Sequence, residues 1–445
     1  MLVKSMYTVI EHTDEGIVIY NTKNGVQAVI ADGEHELADD IAIIEQNKSC
    51  DDVNDETLKR VFCVDSEVSE LDAVMADYYR QMFDPTSLSF IIMPNNICNF
   101  GCIYCYQEHD ERRMTEQTIE NFIAAVKDHY HRVGLKHFYA EWFGGEPFMT
   151  YDILEYVTRE LSEFFEENGV EYHFGATTNG SLFTDDRIDF LMKHKFDFFQ
   201  ITVDGARSSH NETRPFLNGS GTWDIICENL KKLHKRPEKF RVSVRVNYNN
   251  RTMREIDSLF EFIRDNLDDR FGVFFHTIGK WGGKSDDMLE TIDSAIEPYT
   301  TLALMEQALE YGFSPKMNYD FFNPFGRVCY AGCPYHFTLG SDGKLRKCNE
   351  EDEEKDCFNI VGTVENGKIE FDIGKWSKFV LPGGSAVLRD KCQKCVFLPI
   401  CYAQRCPRNC VTDKEPTCGE DFPLMTELIL NKYKRKKKLE QSEVR

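Results

Sequence analysis

Three cysteines within eight residues, Cys98-Asn-Phe-Gly-Cys102-Ile-Tyr-Cys105, constrain this chain more than any other stretch. Thiols in a C-x3-C-x2-C spacing cannot all pair with one another as disulfides, but they can hold three corners of a metal site. They are part of a total of sixteen cysteines in 445 residues. Cys50, Cys63 and Cys227 stand alone, and the remaining ten lie between Cys329 and Cys418. Disulfide-dense scaffolds are small and secreted, whereas this chain is long. Its first residues, Met1 to Glu11, carry no long apolar run. No stretch of about 18 apolar residues is present, which predicts a cytoplasmic protein with no membrane span. Acids outnumber Lys and Arg by 75 to 52, a formal charge of −23, which argues against nucleic acid as partner. Metal or cluster ligation is the reading left, and the blockwise cysteines predict two cysteine-bearing modules.

The hydrophobic pattern divides the chain into three. Residues 1–84 read as a small α+β module: short strands over Tyr7–Ile10, Gly16–Tyr20 and Val26–Ile30, a turn at Asn24-Gly25, and a helix over Glu70–Met82. Residues 85–324 alternate strand and helix six times. The strands fall at Ser89–Met93, His137–Phe143, Glu171–Thr177, Asp197–Val203, Phe240–Asn247 and Phe271–Thr277. Such alternation makes a parallel sheet covered by helices. Six units predict a partial (β/α)6 barrel rather than a closed one of eight. Residues 325–445 form the cysteine-rich end, closing with a short amphipathic helix and the basic run Lys432–Lys438, read as a solvated helix end.

Motif-like residues cluster where the strands end. Cys98–Cys105 follows the first strand, Gly144-Gly145-Glu146-Pro147 the second, Thr178-Asn179-Gly180 the third and Asp204-Gly205 the fourth. The C-terminal ends of parallel strands share one face, where active sites sit. Four separate pieces of sequence therefore converge on one pocket.

A structural zinc ion wants four protein ligands, and His109 is the single local candidate beyond the three thiols. A [4Fe–4S] cluster held by three thiolates leaves one iron open to a small ligand. Here the chain resembles the radical S-adenosylmethionine (SAM) enzymes, whose signature is C-x3-C-x-aromatic-C, with Tyr104 as the aromatic. The resemblance implies that Cys98, Cys102 and Cys105 ligate the cluster, that SAM chelates the open iron, and that its reductive cleavage gives a 5′-deoxyadenosyl radical. Gly144-Gly145-Glu146-Pro147 matches the family's GGEP element, which receives the SAM amino group. Asn179, Thr202, Asp204, Arg245 and Asn247 occupy positions that contact SAM in such enzymes, and Tyr104 either packs or meets the adenine.

The C-terminal cysteines resemble the SPASM extension of a subset of these enzymes. Cys333, Gly343 and Cys348 match C-x9–15-G-x4-C, and Cys392, Cys395, Cys401 and Cys406 follow in the expected order. The resemblance implies two auxiliary [4Fe–4S] clusters: Cys329, Cys333, Cys348 and Cys406 for the first, and Cys392, Cys395, Cys401 and Cys418 for the second. Four residues separate Cys401 from Cys406 where the family has three, so Cys410 is an alternative ligand, and Cys357 has no matching position. On spacing alone a pair of zinc ribbons is the other reading, and a non-enzymatic zinc-rich adaptor its functional counterpart.

SPASM enzymes modify peptides or proteins. Sulfatase-maturing members carry an Asp base directly after the cysteine that closes G-x4-C. Asn349 stands there in this chain, and an amide cannot act as a base. Peptide maturases instead begin with a leader-binding, winged-helix-like module, which residues 1–84 fit in length and pattern. The string Asp204-Gly-Ala…His210-Asn…Arg214-Pro also resembles theirs. The expectation is a maturase of a ribosomally made, leader-bearing precursor peptide that forms a thioether between a Cys sulfur and a carbon. Carbon–carbon cross-linking and sulfatase-type protein oxidation are the variants. A flavodoxin- or ferredoxin-type protein is the implied electron donor.

Overall fold

The computed structural model describes residues 1–31, 33–313, 323–349, 358–412, 418 and 424–443, with side chains up to 434. Cys357 and the side chains of 435–438 lie outside the described residues. The chain divides into two compact units. One comprises Met1–Phe83, Tyr319–Cys333 and Ser377–Arg445, and the other Asp84–Asn318 and Pro334–Trp376.

In the first unit β1 (Leu2–Lys4) pairs antiparallel with β5 (Cys63–Asp65). Between them β2 (Thr8–Thr13), β3 (Gly16–Asn21) and β4 (Gln27–Ile30) form a three-stranded antiparallel sheet in sequence order. The acidic stretches after β4 form two helices that their composition does not announce, α1 (His35–Glu45) and α2 (Glu56–Phe62). Asp55 starts α2 by accepting hydrogen bonds from the Thr57 and Leu58 amides. The helix α3 (Glu70–Met82) is capped by Ser69, whose hydroxyl accepts from the Asp72 amide.

This N-terminal part shares its core with the cysteine-rich end. Tyr7, Val74 and Tyr78 pack with Leu388, Cys392, Leu398 and Tyr402. Tyr78 lies 4.8 Å from Tyr402, ring centre to ring centre, and its hydroxyl donates to the Val380 carbonyl at 3.0 Å. Val18 and Tyr20 of β3 pack with Ile400, Met425 and Ile429. The closing helix spans Met425–Glu443, so it continues through the basic run rather than ending in it.

The second unit is built on six parallel strands that the alternation predicts: β6 (Ser87–Ile92), β7 (His137–Trp142), β8 (Glu171–Thr178), β9 (Phe196–Thr202), β10 (Arg241–Tyr248) and β11 (Phe271–Thr277). They stand in the order β11-β10-β9-β8-β7-β6, every neighbour parallel. The connecting helices include α4 (Glu116–Val133), α5 (Tyr151–Asn168), α6 (Asp185–Lys193), α7 (Arg207–Thr213), α8 (Trp223–His234) and α9 (Ile256–Asn266). Alternation along each strand sorts the two faces of the sheet. Phe138, Ala140 and Trp142 of β7 are fully buried and belong to the helix-covered face, where Phe138 meets Phe165 of α5 at 4.7 Å. Burying each such aromatic contributes about 1.5–3 kcal/mol.

The sheet does not stop at β6. Strand β12 (His336–Leu339) adds in parallel beside β6, followed by the antiparallel β13 (Lys344–Arg346), β14 (Ile360–Glu365) and β15 (Lys368–Phe371). Ser89 and His336 fix this junction through a 2.8 Å hydrogen bond. The sequence reading has no strands in this stretch, because the cysteine spacing dominates its pattern. Among the described residues, no helix is long and apolar enough to cross a membrane.

Candidate functional site

The strand ends bring the sequence-marked pieces together. Cys98–Cys105 follows β6, and the turn after β7 is threaded against the start of this cysteine loop. The Gly145 amide donates to the Asn95 carbonyl at 3.3 Å and the Glu146 amide to that of Ile97 at 2.7 Å. A Cβ on Gly145 would stand 2.2 Å from the Ile97 oxygen, so only glycine permits this approach. The side-chain amide of Asn95 answers by donating to the Glu146 carbonyl and to Thr150 Oγ1, at 3.1 and 2.6 Å.

Glu146 is fully buried, and its carboxylate is engaged within the chain. It accepts from the Phe148 amide at 3.1 Å, Thr178 Oγ1 at 2.7 Å and the Asn179 amide at 2.7 Å. Burial pushes its carboxyl above the usual range against the pull of these donors. The same residue therefore ties the turn after β7 to the end of β8. Asn179 in turn reaches the cysteine loop, its amide donating to Asn99 Oδ1 at 2.8 Å.

On the other side of the loop, Tyr104 enters a buried polar cluster. Its hydroxyl donates to Asp204 Oδ2 and accepts from Arg214 Nη1 at 2.9 Å and Asn247 Nδ2 at 3.0 Å. Asp204 accepts further from Thr213 Oγ1 at 3.2 Å and from the Asn247 amide at 2.9 Å. Burial raises the Asp204 carboxyl, and the Arg214 guanidinium opposes it. The Asp204 amide donates to His210 Nδ1 at 3.0 Å, which leaves the proton on His210 Nε2, facing Thr222 Oγ1 at 3.0 Å. Thr222 closes the ring by donating to the Arg214 carbonyl at 2.6 Å. Arg245 donates from Nε to Asn247 Oδ1 at 2.9 Å, and Thr202 lies beside Arg245 in register.

The string from Asp204 to Arg214 thus forms one hydrogen-bonded unit. Arg214 is the residue that single-motif reading passes over. It is buried, it neighbours Cys102, Tyr104 and Asp204, and its Nε has no hydrogen-bond partner among the described residues.

All three thiols of the loop are free and influence one another electrostatically. Burial pushes Cys98 up to about 12 and Cys102 up to about 11. Burial acts in the same direction on the half-buried Cys105, yet its thiol lies below the ordinary range, because His109 Nε2 stands 3.5 Å from its sulfur. His109 Nδ1 is itself anchored 3.0 Å from the Asn96 carbonyl oxygen. Among the described residues no three His, Cys, Asp or Glu side chains converge on a single ion. A four-iron cluster makes a different demand, since each thiolate takes its own iron. Three free neighbouring thiols on one loop, beside a buried guanidinium nitrogen without a partner, fit such an anionic group.

In the first unit, Cys392, Cys395, Cys401 and Cys418 lie close enough to perturb one another's charge, and Cys410 stands beside Cys406 and Cys392. Cys329 and Cys333 flank one turn, and the Cys329 amide donates to the Gln404 carbonyl at 2.9 Å. Cys348 belongs to the other unit. There Asn359 holds it from both sides, accepting from its amide at 2.9 Å and donating to its carbonyl at 2.8 Å.

Residues 92–263 match the family model of the radical SAM superfamily. A cysteine-type anaerobic sulfatase-maturating enzyme of Clostridium novyi is 22% identical over 362 residues, which span 74% of this chain and 89% of that protein. The radical SAM cyclopropyl synthase TigE of Paramaledivibacter caminithermalis is 27% identical over 156 residues, spanning 32% of this chain and 31% of that one. Among solved structures, native anSMEcpe with bound AdoMet and Cp18Cys peptide superposes with a TM-score of 0.57 at 15% identity, covering 81% of this chain and 100% of that chain. Streptococcus suis SuiB bound to precursor peptide SuiA gives 0.51 at 15% identity, covering 94% and 98%. At these identities the structural likeness is one of fold. The chain therefore carries a radical SAM domain over residues 92–263. It resembles the peptide- and protein-maturing enzymes of that superfamily, which implies a [4Fe–4S] cluster and SAM as its cofactors.

Proposed function

We propose that this chain is a radical SAM peptide maturase that oxidatively modifies a ribosomally made precursor, forming a thioether between a Cys sulfur and a carbon. The observation that carries the reading is the cysteine loop itself. Cys98, Cys102 and Cys105 are free and mutually close. They are pinned on one side by the Gly145–Glu146 turn and on the other by Tyr104 in the Asp204–Arg214–Asn247 cluster. These three residues are the cluster ligands. Tyr104, Gly144, Gly145, Glu146, Pro147, Asn179, Thr202, Asp204, Arg245 and Asn247 are the cofactor-binding set. When bound, the cluster and SAM would supply a 5′-deoxyadenosyl radical able to take a hydrogen atom from carbon. The chain's own part is to hold the loop rigid, keep water from the face above the strands and orient the substrate.

The domain assignment belongs to the same reading: residues 1–84 bind the leader, 85–324 form the radical SAM core and 325–445 the auxiliary-cluster region. Cys329, Cys333, Cys348 and Cys406 serve one auxiliary cluster. Cys392, Cys395, Cys401 and Cys418 serve the other, with Cys410 as the alternative ligand. A leader peptide would add as a strand to a sheet edge of the N-terminal part. The electron donor is a flavodoxin- or ferredoxin-type protein.

A second reading, oxidation of a protein side chain, is favoured by the 74% coverage of this chain in the match to the sulfatase-maturating enzyme. Asn349, in place of that class's carboxylate base, speaks for the peptide reading. Anaerobic reconstitution tests both against a zinc adaptor. The expected product is a brown protein with roughly twelve irons per chain, from three four-iron clusters. It forms deoxyadenosine from SAM, and the joint Cys98, Cys102 and Cys105 to Ala variant does not. Co-expression with a candidate leader-bearing, Cys-containing precursor peptide then separates the two substrates. A peptide that loses two hydrogens and one free thiol supports thioether formation, and an unmodified peptide sinks it.

A further inference from the structure

The face of the parallel sheet opposite the helices is polar, and one carboxyl on it has no role in the site described above. Glu141 lies on β7 between the buried Ala140 and Trp142, so alternation turns it away from the helices. Its carboxylate accepts a hydrogen bond from Thr177 Oγ1 of β8. Thr177 stands opposite Gln200 of β9, whose side-chain amide is 3.5 Å from the same hydroxyl. Among the described residues, no Lys, Arg or His forms an ion pair with Glu141. The residue facing it across the strands is Gly175, where a Cβ would come within 2.5 Å of the Tyr139 hydroxyl. Glycine there makes room for the Tyr139 hydroxyl, which neighbours the Glu141 carboxyl on the same face.

Its position along the strands is informative. Thr177 and Gln200 share a layer, Thr202 and Arg245 the next, and Asn247 and His276 the one above. In register Glu141 lies below the layers proposed to bind SAM, on the same face of the sheet. A carboxyl held by one neutral hydroxyl and no cation is a stronger base than a carboxylate in an ion pair.

We propose that Glu141 is the proton acceptor for the substrate group that closes the new bond, an assignment that rests on the peptide maturase reading. The chemistry needs one. A hydrogen atom leaves the substrate carbon for the deoxyadenosyl radical. The nucleophile's proton passes to the Glu141 carboxylate. The nucleophile's lone pair meets the carbon's unpaired electron to make the bond, and the surplus electron passes to an iron–sulfur acceptor. Asn349 cannot take that proton, and Glu141 supplies the missing carboxylate from β7.

The test uses the reconstituted full chain and the leader-bearing precursor peptide that it modifies on co-expression, deuterated at the carbon that the wild type modifies. Glu141→Gln keeps the side-chain oxygen that Thr177 needs, so folding and iron content should match the wild type. Deuterium should still pass into deoxyadenosine, while cross-linked product falls about 10²–10⁴-fold. Glu141→Asp, which retains a carboxyl, should recover part of the product. Wild-type product formation in Glu141→Gln would overturn the assignment, as would loss of deuterium transfer together with product, which marks a binding role. A wild type that cleaves SAM but modifies no peptide would overturn the maturase reading and Glu141 with it.

Discussion

The Tyr104 hydroxyl donates to the buried Asp204 carboxylate while accepting from Arg214 and Asn247. One side chain, placed between two cysteines of the loop, thus joins that loop to the ends of β9 and β10. The C-x3-C-x-aromatic-C spacing is thereby explained in this chain by anchorage, whatever else the ring touches.

Tyr104→Phe removes the acceptor of two buried donors and one of the donors to Asp204. Leaving such groups unsatisfied costs about 1–3 kcal/mol. Urea denaturation of the apo protein should show that loss. An unchanged midpoint would mean that the cluster of polar groups does not anchor the loop. Arg214→Met should cost more, about 3–5 kcal/mol, because it leaves Asp204 buried without its cation.

Gly145→Ala places a methyl group 2.2 Å from the Ile97 oxygen, and that oxygen is backbone. The cysteine loop must shift to accept it. Iron content after reconstitution should drop by the share of one cluster, roughly four irons, with far-ultraviolet circular dichroism unchanged. Full iron loading would show that the turn and loop are not coupled.

Tyr78 of α3 packs on Tyr402 and hydrogen-bonds the Val380 carbonyl, inside the core shared with the cysteine-rich end. Tyr78→Ala should destabilise that unit by about 3–5 kcal/mol, the cost of emptying a large aromatic site. Iron held by the C-terminal cysteines should fall, and deoxyadenosine formation should persist. The same packing makes deletion of the first 84 residues a poor probe of leader binding, since it would strip the core from the cysteine-rich segment.

Asp342 sits in the turn between β12 and β13, where Arg346 grips it through two 3.0 Å contacts. Burial raises its carboxyl, but the Arg346 hydrogen bonds outweigh it and hold the carboxyl down to about 2. The folded state therefore favours the ionised form. This stability is present in full above the unfolded carboxyl range near pH 4 and is lost as pH falls towards 2. It amounts to on the order of 1–2 kcal/mol, allowing for partial exposure of the side chain. Asp342→Asn should lower stability at pH 7 and flatten its decline between pH 4 and 2, as read from denaturant midpoints.

The six parallel strands and the helix Glu70–Met82 are legible in the sequence because each is a local apolar period bounded by caps or turns. The convergence of the cysteine loop, Gly144–Pro147, Asn179 and Asp204 is legible for the same reason: parallel strands carry their C-terminal ends to one face. The helices after β4 are hidden by acidic composition. The extension of the sheet through β12 to β15 is hidden too, because a strand's place in a sheet depends on partners far along the chain, as Ser89 and His336 illustrate.

By itself, then, the sequence determined the alternating core, the order of its motifs and the spacing of its thiols, all properties of residues near one another along the chain. Only the tertiary structure decided that Glu146 and Asp204 spend their carboxylates on holding the site together, that the N-terminal module shares a core with the cysteine-rich end, and that Glu141 meets Thr177 and, among the described residues, no cation. Those outcomes rest on burial and on hydrogen-bond partners brought from other strands, and no local pattern encodes which partner a buried polar group will meet.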